Sequence, residues 1–157
     1  MTAAPDPFPL RPPFIADPGT LPSSPGSIVY RVSPPVTDGE LNALFAAAWE
    51  GHETRSFAPV LERSLAYVCA YAGERLAGFV NLAWDGGCHA FVLDTTVHPD
   101  FRGRGIGVAL VERAADVARE RGVEWLHVDY EPHLEAFYRR CGFRHTAAGV
   151  RRLDSPG

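Results

Sequence analysis

The 157-residue chain contains no lysine; all fifteen of its permanently cationic side chains are arginine. Schiff-base chemistry on lysine, a lysine general base and a P-loop of the GxxxxGK(S/T) type are therefore excluded. Cysteine is scarce as well. Cys69, Cys88 and Cys141 are an odd number at wide spacing without a CxxC pair, and read as reduced thiols that pack like small apolar side chains. No apolar run approaches the ~20 residues a membrane-spanning helix needs, and the N-terminal segment lacks a basic stretch followed by an apolar one. A formal net charge of −4 leaves no basic footprint for nucleic acid. The expectation is a cytoplasmic protein that partners neither membrane nor nucleic acid, with a length suited to one domain.

Proline is plentiful but confined, with eight of fourteen residues between Pro5 and Pro25. Each removes a backbone donor and biases its predecessor away from helix, so residues 1–26 read as a disordered tail. Phe8, Leu10, Phe14 and Ile15 leave open the alternative that it docks. The folded domain is expected over 27–157.

Within it the pattern alternates. Ile28 to Val32 suits a strand; Thr37 and Glu40 form a capping box for a helix to about Trp49, with Val36 stapled onto Leu41. Residues 51–64 are irregular, or hold one short helix around Val60 to Arg63. Leu65–Ala72 and Leu76–Trp84 are β-rich runs around a tight Gly73-Glu74-Arg75 turn, and His89–Val97 is apolar on both faces, as a central strand is. Gly107–Arg121 is an amphipathic helix, Val123–Tyr130 a strand, Pro132–Arg140 a short helix and Phe143–Leu153 a terminal strand. This order implies an α/β (α+β) fold: a mixed, mostly antiparallel sheet of about six strands flanked by helices.

Chemistry concentrates between Thr95 and Gly107, in TTVHPDFRGRGIG. A buried strand runs into a glycine-rich loop that opens directly into a helix, so free amides and the positive end of the helix dipole converge, as an anion such as pyrophosphate requires. Arg102 and Arg104 add charge, which glycines that merely turn the chain would not explain. A Rossmann site fits poorly, because Gly103, Gly105 and Gly107 give GxGxG after several strands rather than GxGxxG after the first.

Arg102-x-x-Gly105-x-Gly107 after this strand resembles the acyl-CoA-binding motif (R/Q)-x-x-G-x-(G/A) of the GNAT superfamily of N-acetyltransferases. Glu131 to Phe143, EPHLEAFYRRCGF, resembles the family's second motif N-x-x-A-x-x-(L/F)-Y-x-x-x-G-F, with Glu131 in place of Asn and Leu134 in place of Ala. The resemblance covers residues 27–153. It implies splayed central parallel strands, acetyl-CoA as cosubstrate held by Thr95, Val97, Arg102, Gly103, Arg104, Gly105, Ile106 and Gly107, and direct transfer to an amine in a ternary complex. It also implies a backbone oxyanion donor near Val97, with Tyr138 as proton donor to the departing thiolate.

An alkylamine is nearly all ammonium at neutral pH, so a proton acceptor is needed. The family often places it at positions equivalent to 91 or 93, which are Phe91 and Leu93 here. That departure shifts weight from a strand-borne base to Glu131, to His127 paired with Asp129, or to relayed water; Asp94, within the central strand, is a separate candidate. Each has a structural alternative: dipole-favoured acid for Glu131, a backbone hydrogen bond for Asp94. His89 shares a strand face with Phe91, Leu93 and Thr95 if no bulge intervenes, and Trp84 is the best tryptophan for the acceptor wall; Phe57 and Tyr67 are weaker. His98 reads as a turn residue and His133 as lining the site or solvated. No metal is expected, since HxxxH and CxxC spacings are lacking.

The expected function is therefore acetyl transfer from acetyl-CoA to a small-molecule amine, cationic if Glu131 and Asp129 face it. The alternatives are a non-catalytic acyl-CoA sensor or interaction module, and a peptide or protein N-acetyltransferase. The terminal strand is the candidate surface for a homodimer.

Overall fold

The computed structural model describes residues 26–154, so the tail expected over residues 1–26 lies, apart from Gly26, outside the described residues. Five strands form one sheet in the order β1-β2-β3-β4-β5: β1 (Ile28–Val32), β2 (Ala66–Ala72), β3 (Arg75–Trp84), β4 (His89–Val97) and β5 (Trp125–His127). Neighbours are antiparallel except β4 and β5, which run parallel. The helices are α1 (Asp38–Ala48), α2 (Ala58–Leu61), α3 (Ile106–Glu120) and α4 (Glu135–Arg140).

Side-chain alternation along the strands builds a core on each face. Val68, Ala70, Val80, Leu82, Ala90 and Val92 pack against Ile106, Leu110, Val111, Ala114 and Ala118, the apolar stripe of α3. On the other face Cys69, Tyr71 and Phe79 meet Leu41, Leu44 and Phe45 of α1 together with Phe57. Each of these α1 side chains is essentially fully buried, which stabilises the fold by about 1.5–3 kcal/mol apiece. The capping box starts α1: Glu40 N–H donates to Thr37 Oγ1 while Glu40 Oε2 accepts from Thr37 N–H. Gly78 lets α3 lie close to the sheet, since a Cβ there would come within 2.9 Å of Leu110 Cδ1 and 3.1 Å of the Thr96 carbonyl oxygen.

The sheet has five strands rather than about six. Residues 143–154 are not in a strand, and only Phe143 among them packs against the core. The expected Val123–Tyr130 strand shrinks to Trp125–His127, and three paired residues give a terminal run too little edge to join. The proposed dimer surface, as a strand, is therefore missing among the described residues.

Candidate acyl-carrier and transfer site

The site begins with a break in β4. Asn81 of β3 pairs with Leu93 and Phe79 with Thr96, so β4 carries one residue too many for its partner. Asp94 absorbs it with φ 57°, a left-handed conformation that is uncommon outside glycine. The bulge inverts the alternation: Phe91 and Leu93 project on the α1 side, whereas Thr95 and Val97 turn toward α3 and α4. The expectation that His89, Phe91, Leu93 and Thr95 share one face is thus corrected by a bulge that no glycine or proline announces.

A second feature coincides with the first. The β4–β5 ladder pairs His89 with Trp125, Ala90 with Leu126 and Phe91 with His127, and then stops. From Val92 to Val97 the β5-facing edge of β4 has no strand partner among the described residues. A gap therefore opens in the sheet beside the bulge, with unpaired backbone groups along one side, to which an extended amide-bearing ligand can add as a strand does.

Beyond β4, a 3₁₀ turn (Pro99–Phe101) leads into the glycine-rich loop. His98 caps the turn by accepting the Asp100 N–H at Nδ1, as befits a turn residue, and Arg75 binds Asp100 at 2.8 Å. Gly105 is the N-cap of α3 in left-handed geometry, φ 74°, and offers no side chain to the first-turn amides. The N–H groups of Ile106, Gly107 and Val108 have no intrahelical acceptor by position and face outward with the helix dipole. Arg102 reaches back to the Val97 carbonyl at 3.4 Å and lines the adjoining cleft, whereas Arg104 stacks over Phe101 and lines neither cavity of the site.

Two cavities meet here. One of about 490 Å³ is lined by Thr95, Thr96, Val97, Arg102 and Gly107 together with Trp49, His133, Phe137 and Tyr138. The other, about 270 Å³, lies over Arg102, Gly103, Gly105, Ile106, Gly107 and Val108, with Arg140 at its rim. They share Val97, Arg102, Gly107 and Phe137, so they form one trough from the helix N-terminus to the gap. Arg140 and Trp49 were not legible as site residues, because only the docking of α4 and α1 brings them there; Val108, in the first turn of α3, follows directly on the glycine-rich loop.

Tyr138 sits at the inner end of the trough, only 6% exposed, stacked on Tyr130 and edge-on to Phe137 and Phe143. Burial raises its phenol above the ordinary value, partly offset by the facing Thr95 hydroxyl. The two do not close a hydrogen bond of ordinary geometry: Thr95 Oγ1 is buried and without a partner, one of two such side-chain atoms among the described residues. The second, Asn81 Oδ1, flanks the same bulge from β3. An orphaned hydroxyl, a free strand edge and a ring of free amides fit a long ligand that has an anion at one end and amides along its arm.

The acid and imidazole candidates scatter. Asp94 is half-buried; burial raises its carboxyl above the usual range and Arg55 pulls it back. Glu131 is exposed, precedes the 3₁₀ turn Pro132–Leu134 and makes no side-chain cap. Asp129 is exposed beyond the end of β5. His127 does not pair with Asp129, because the strand that would alternate them ends at His127; its Nε2 lies 2.8 Å from His89 Nδ1 instead. Trp84 pairs with Ala90 and packs on the α3 side, on the opposite sheet face from His89. Phe57 is buried beneath Phe45, and the Tyr67 hydroxyl donates to the Pro34 carbonyl.

Residues 52–57, between α1 and α2, lie in the segment read as irregular or as one short helix. Asn42 of α1 holds them: its Nδ2 donates to the Arg55 carbonyl, its Oδ1 accepts the Arg55 N–H, and His52 Nε2 meets the same oxygen. Asp38 accepts the Phe57 N–H, which lowers its carboxyl below the ordinary range. Among the described residues no group of three or more His, Cys, Asp or Glu side chains is arranged to hold a metal ion, and no helix is long and apolar enough to cross a membrane.

Known proteins resemble this chain in sequence and fold. A serotonin N-acetyltransferase 2 of Oryza sativa subsp. japonica is 30% identical over 133 residues, covering 82% of this chain and 66% of its own length. An uncharacterised N-acetyltransferase ycf52 of Pyropia yezoensis is 30% identical over 82 residues, covering 52% of this chain and 47% of its own. The chain thus spans about half to two-thirds of the length of these curated relatives. Among solved structures, a GNAT family acetyltransferase of Streptococcus pneumoniae superposes with a TM-score of 0.68 at 24% identity, covering 83% of this chain and all of the other. Aminoglycoside N-acetyltransferase AAC(6')-Iy in complex with CoA gives 0.68 at 20% identity, covering 86% and 99%. These two share the fold. The model of the acetyltransferase (GNAT) family matches residues 38–143, from the first helix through both motif-bearing segments, and with that match the chain belongs to the GNAT acetyltransferase family.

Proposed function

We propose that the protein transfers the acetyl group of acetyl-CoA directly to the amine of a small molecule, both substrates being bound together. The observation that carries this reading is the single trough joining the free amides of α3, the unpaired edge of β4 and the buried Tyr138. The amides of Ile106, Gly107 and Val108 and the Arg102 guanidinium hold the pyrophosphate, and the open edge of β4 pairs with the pantetheine amides. When bound, acetyl-CoA supplies the activated acyl group. A backbone N–H near Val97 polarises the thioester carbonyl, and the Tyr138 hydroxyl protonates the departing thiolate. The small-molecule acceptor is supported by relatives named for serotonin and for glucosamine 6-phosphate.

The test is calorimetric titration with CoA, followed by thiol release from acetyl-CoA across a panel of polyamines, arylalkylamines, amino sugars, amino acids and short peptides. Micromolar CoA binding with amine-dependent turnover supports the proposal. Binding without turnover above thioester hydrolysis points to an acyl-CoA sensor, and turnover restricted to peptides points to a protein N-acetyltransferase.

A further inference from the structure

Opposite the trough, on the α1 side of the sheet, β4 and β5 carry a group of rings that the reading above leaves unused. His89 Nδ1 and His127 Nε2 are 2.8 Å apart, and the His127 ring stacks on Phe91 with centroids 4.9 Å apart. That contact requires one ring N–H and one lone pair, so the two imidazoles hold complementary tautomers and cannot both be protonated without separating. The outer nitrogens, His127 Nδ1 and His89 Nε2, make no hydrogen bond among the described residues. His127 is the last residue of β5 to pair before the gap opens, and Phe91, 41% exposed, and Leu93, 38% exposed, continue the same face toward the bulge. Large apolar side chains this exposed in a row form a wall that apolar matter can cover.

The β4–β5 ladder ends at the Phe91–His127 pair, the bulge follows at Asp94, and Thr95 beyond it lines the trough together with Tyr138. We infer that the His89–His127 pair is the proton acceptor for the incoming amine, and that Phe91 and Leu93 seat the apolar body that carries it. This rests on the acetyl-transfer reading. The ammonium loses one proton to the outer nitrogen of His127; the shared proton moves from His127 Nε2 to His89 Nδ1, and His89 Nε2 releases one to water. The free amine then forms the C–N bond as the C–S bond breaks. Tyr138 gives its proton to sulfur and regains one from the acylated nitrogen, so that ammonium and acetyl-CoA yield amide, CoA thiol and one proton.

Charged groups around the pair are consistent with a relay open to water. Asp85, on the turn before β4, accepts the Gly87 and His89 N–H groups, and Glu124 and Asp129 bracket β5. The Asp85 carboxyl is lowered chiefly by the Gly87 N–H and in part by attraction to His89, but none of the three forms an ion pair with either ring among the described residues. Asp94 lies farther along β4, with Arg55 facing it.

The experiment measures kcat/KM against pH for wild type, His127→Asn, His89→Gln and Asp94→Asn, with CoA affinity and melting temperature as controls. An alkylamine acceptor is compared with an arylamine that is uncharged at neutral pH. For His127→Asn the expected result is a loss of about 10²-fold or more with the alkylamine at neutral pH, recovering as pH approaches the amine's own pKa, and a much smaller loss with the arylamine. His89→Gln shows the same pattern more weakly. Equal losses with both acceptors, an unchanged pH profile, or the pH-dependent loss appearing in Asp94→Asn alone overturns the assignment. Wild type that turns over no amine overturns acetyl transfer itself, a result distinct from active wild type with a normal His127→Asn.

Discussion

Tyr138→Phe separates the chemical role of the phenol from its packing. The ring makes three aromatic contacts, with Tyr130 at 4.9 Å, Phe137 at 4.8 Å and Phe143 at 5.8 Å between centroids, and phenylalanine keeps them all. The hydroxyl removed has no well-formed hydrogen bond with its neighbour Thr95, so folding stability should change by no more than about 1 kcal/mol. Tyr138→Ala, which leaves a cavity where a buried ring stood, should cost about 3–5 kcal/mol and reports on the fold instead. If the hydroxyl protonates the thiolate, its loss should lower kcat by about 10²–10⁴-fold, or roughly 3–5 kcal/mol of barrier, with CoA affinity nearly unchanged. The pH dependence has a definite sign. The group acts in its protonated form, and burial raises its pKa, so wild type keeps activity into alkaline solution and loses it only as the phenol ionises above its ordinary value near 10. That alkaline limb should vanish in Tyr138→Phe. Thiol release followed with a chromogenic thiol reagent, beside thermal melts of both variants, decides the matter. A Tyr138→Phe enzyme with kcat within about threefold of wild type and the same alkaline limb would refute the role.

Gly105→Ala forces a side chain into left-handed geometry at the N-cap of α3, where a Cβ meets open space; it should weaken CoA binding in calorimetry and destabilise the fold by about 1 kcal/mol. Gly78→Ala drives a Cβ against Leu110 and the rigid Thr96 carbonyl, and should cost about 1–3 kcal/mol in denaturant melts. Asp94→Asn tests the strained bulge: because burial raises the native carboxyl pKa, wild-type stability is fully present below the unfolded pKa and declines as pH rises through the folded one. The variant should therefore gain stability over wild type toward neutral pH and match it in acid. Asn42→Ala frees residues 52–57 from α1, and should speed amide exchange at Arg55, read by hydrogen exchange.

What could be read from residue order was whatever local chemistry dictates. The capping box at Thr37 and Glu40, the apolar stripe of α3 and the glycine-rich loop sit where spacing and turn chemistry put them, as does the tight turn after Ala72, although Arg75 belongs to β3 rather than to the turn. The second motif delivered Tyr138 to the trough because the whole turn-and-helix unit docks as one piece against Gly107, where Phe137 approaches a glycine that has no Cβ to repel it. The failures were non-local. Alternation alone runs β5 on through Asp129 and puts a carboxylate beside His127, but the ladder ends where the sheet opens, and a histidine from the neighbouring strand takes that place. The terminal run Phe143 to Leu153 contains Val150 and Leu153, yet both are more than four-fifths exposed, because three residues of β5 present too short an edge to hold a partner.

The same logic explains why Asp94 is the residue on which the site turns. A strand pairing β3 on one side without interruption would place Leu93 and Thr95 on one face, leaving Tyr138 nothing to face from β4 and leaving the trough without its orphaned hydroxyl. One extra residue, held at a positive φ that costs of order 1–3 kcal/mol, sends Leu93 to the α1 face and Thr95 to the face of α3 and α4. It does so next to the point where β5 departs, so two faces of one sheet meet at a single opening. Asn is among the few residues that tolerate this backbone, which is why Asp94→Asn should preserve the site's geometry while removing its charge. A β-branched residue at the same position, Asp94→Val, cannot easily adopt that φ; it should shift the register of β4 and abolish CoA-dependent stabilisation in a thermal melt. Retained CoA stabilisation in Asp94→Val would show that the bulge does not organise the trough.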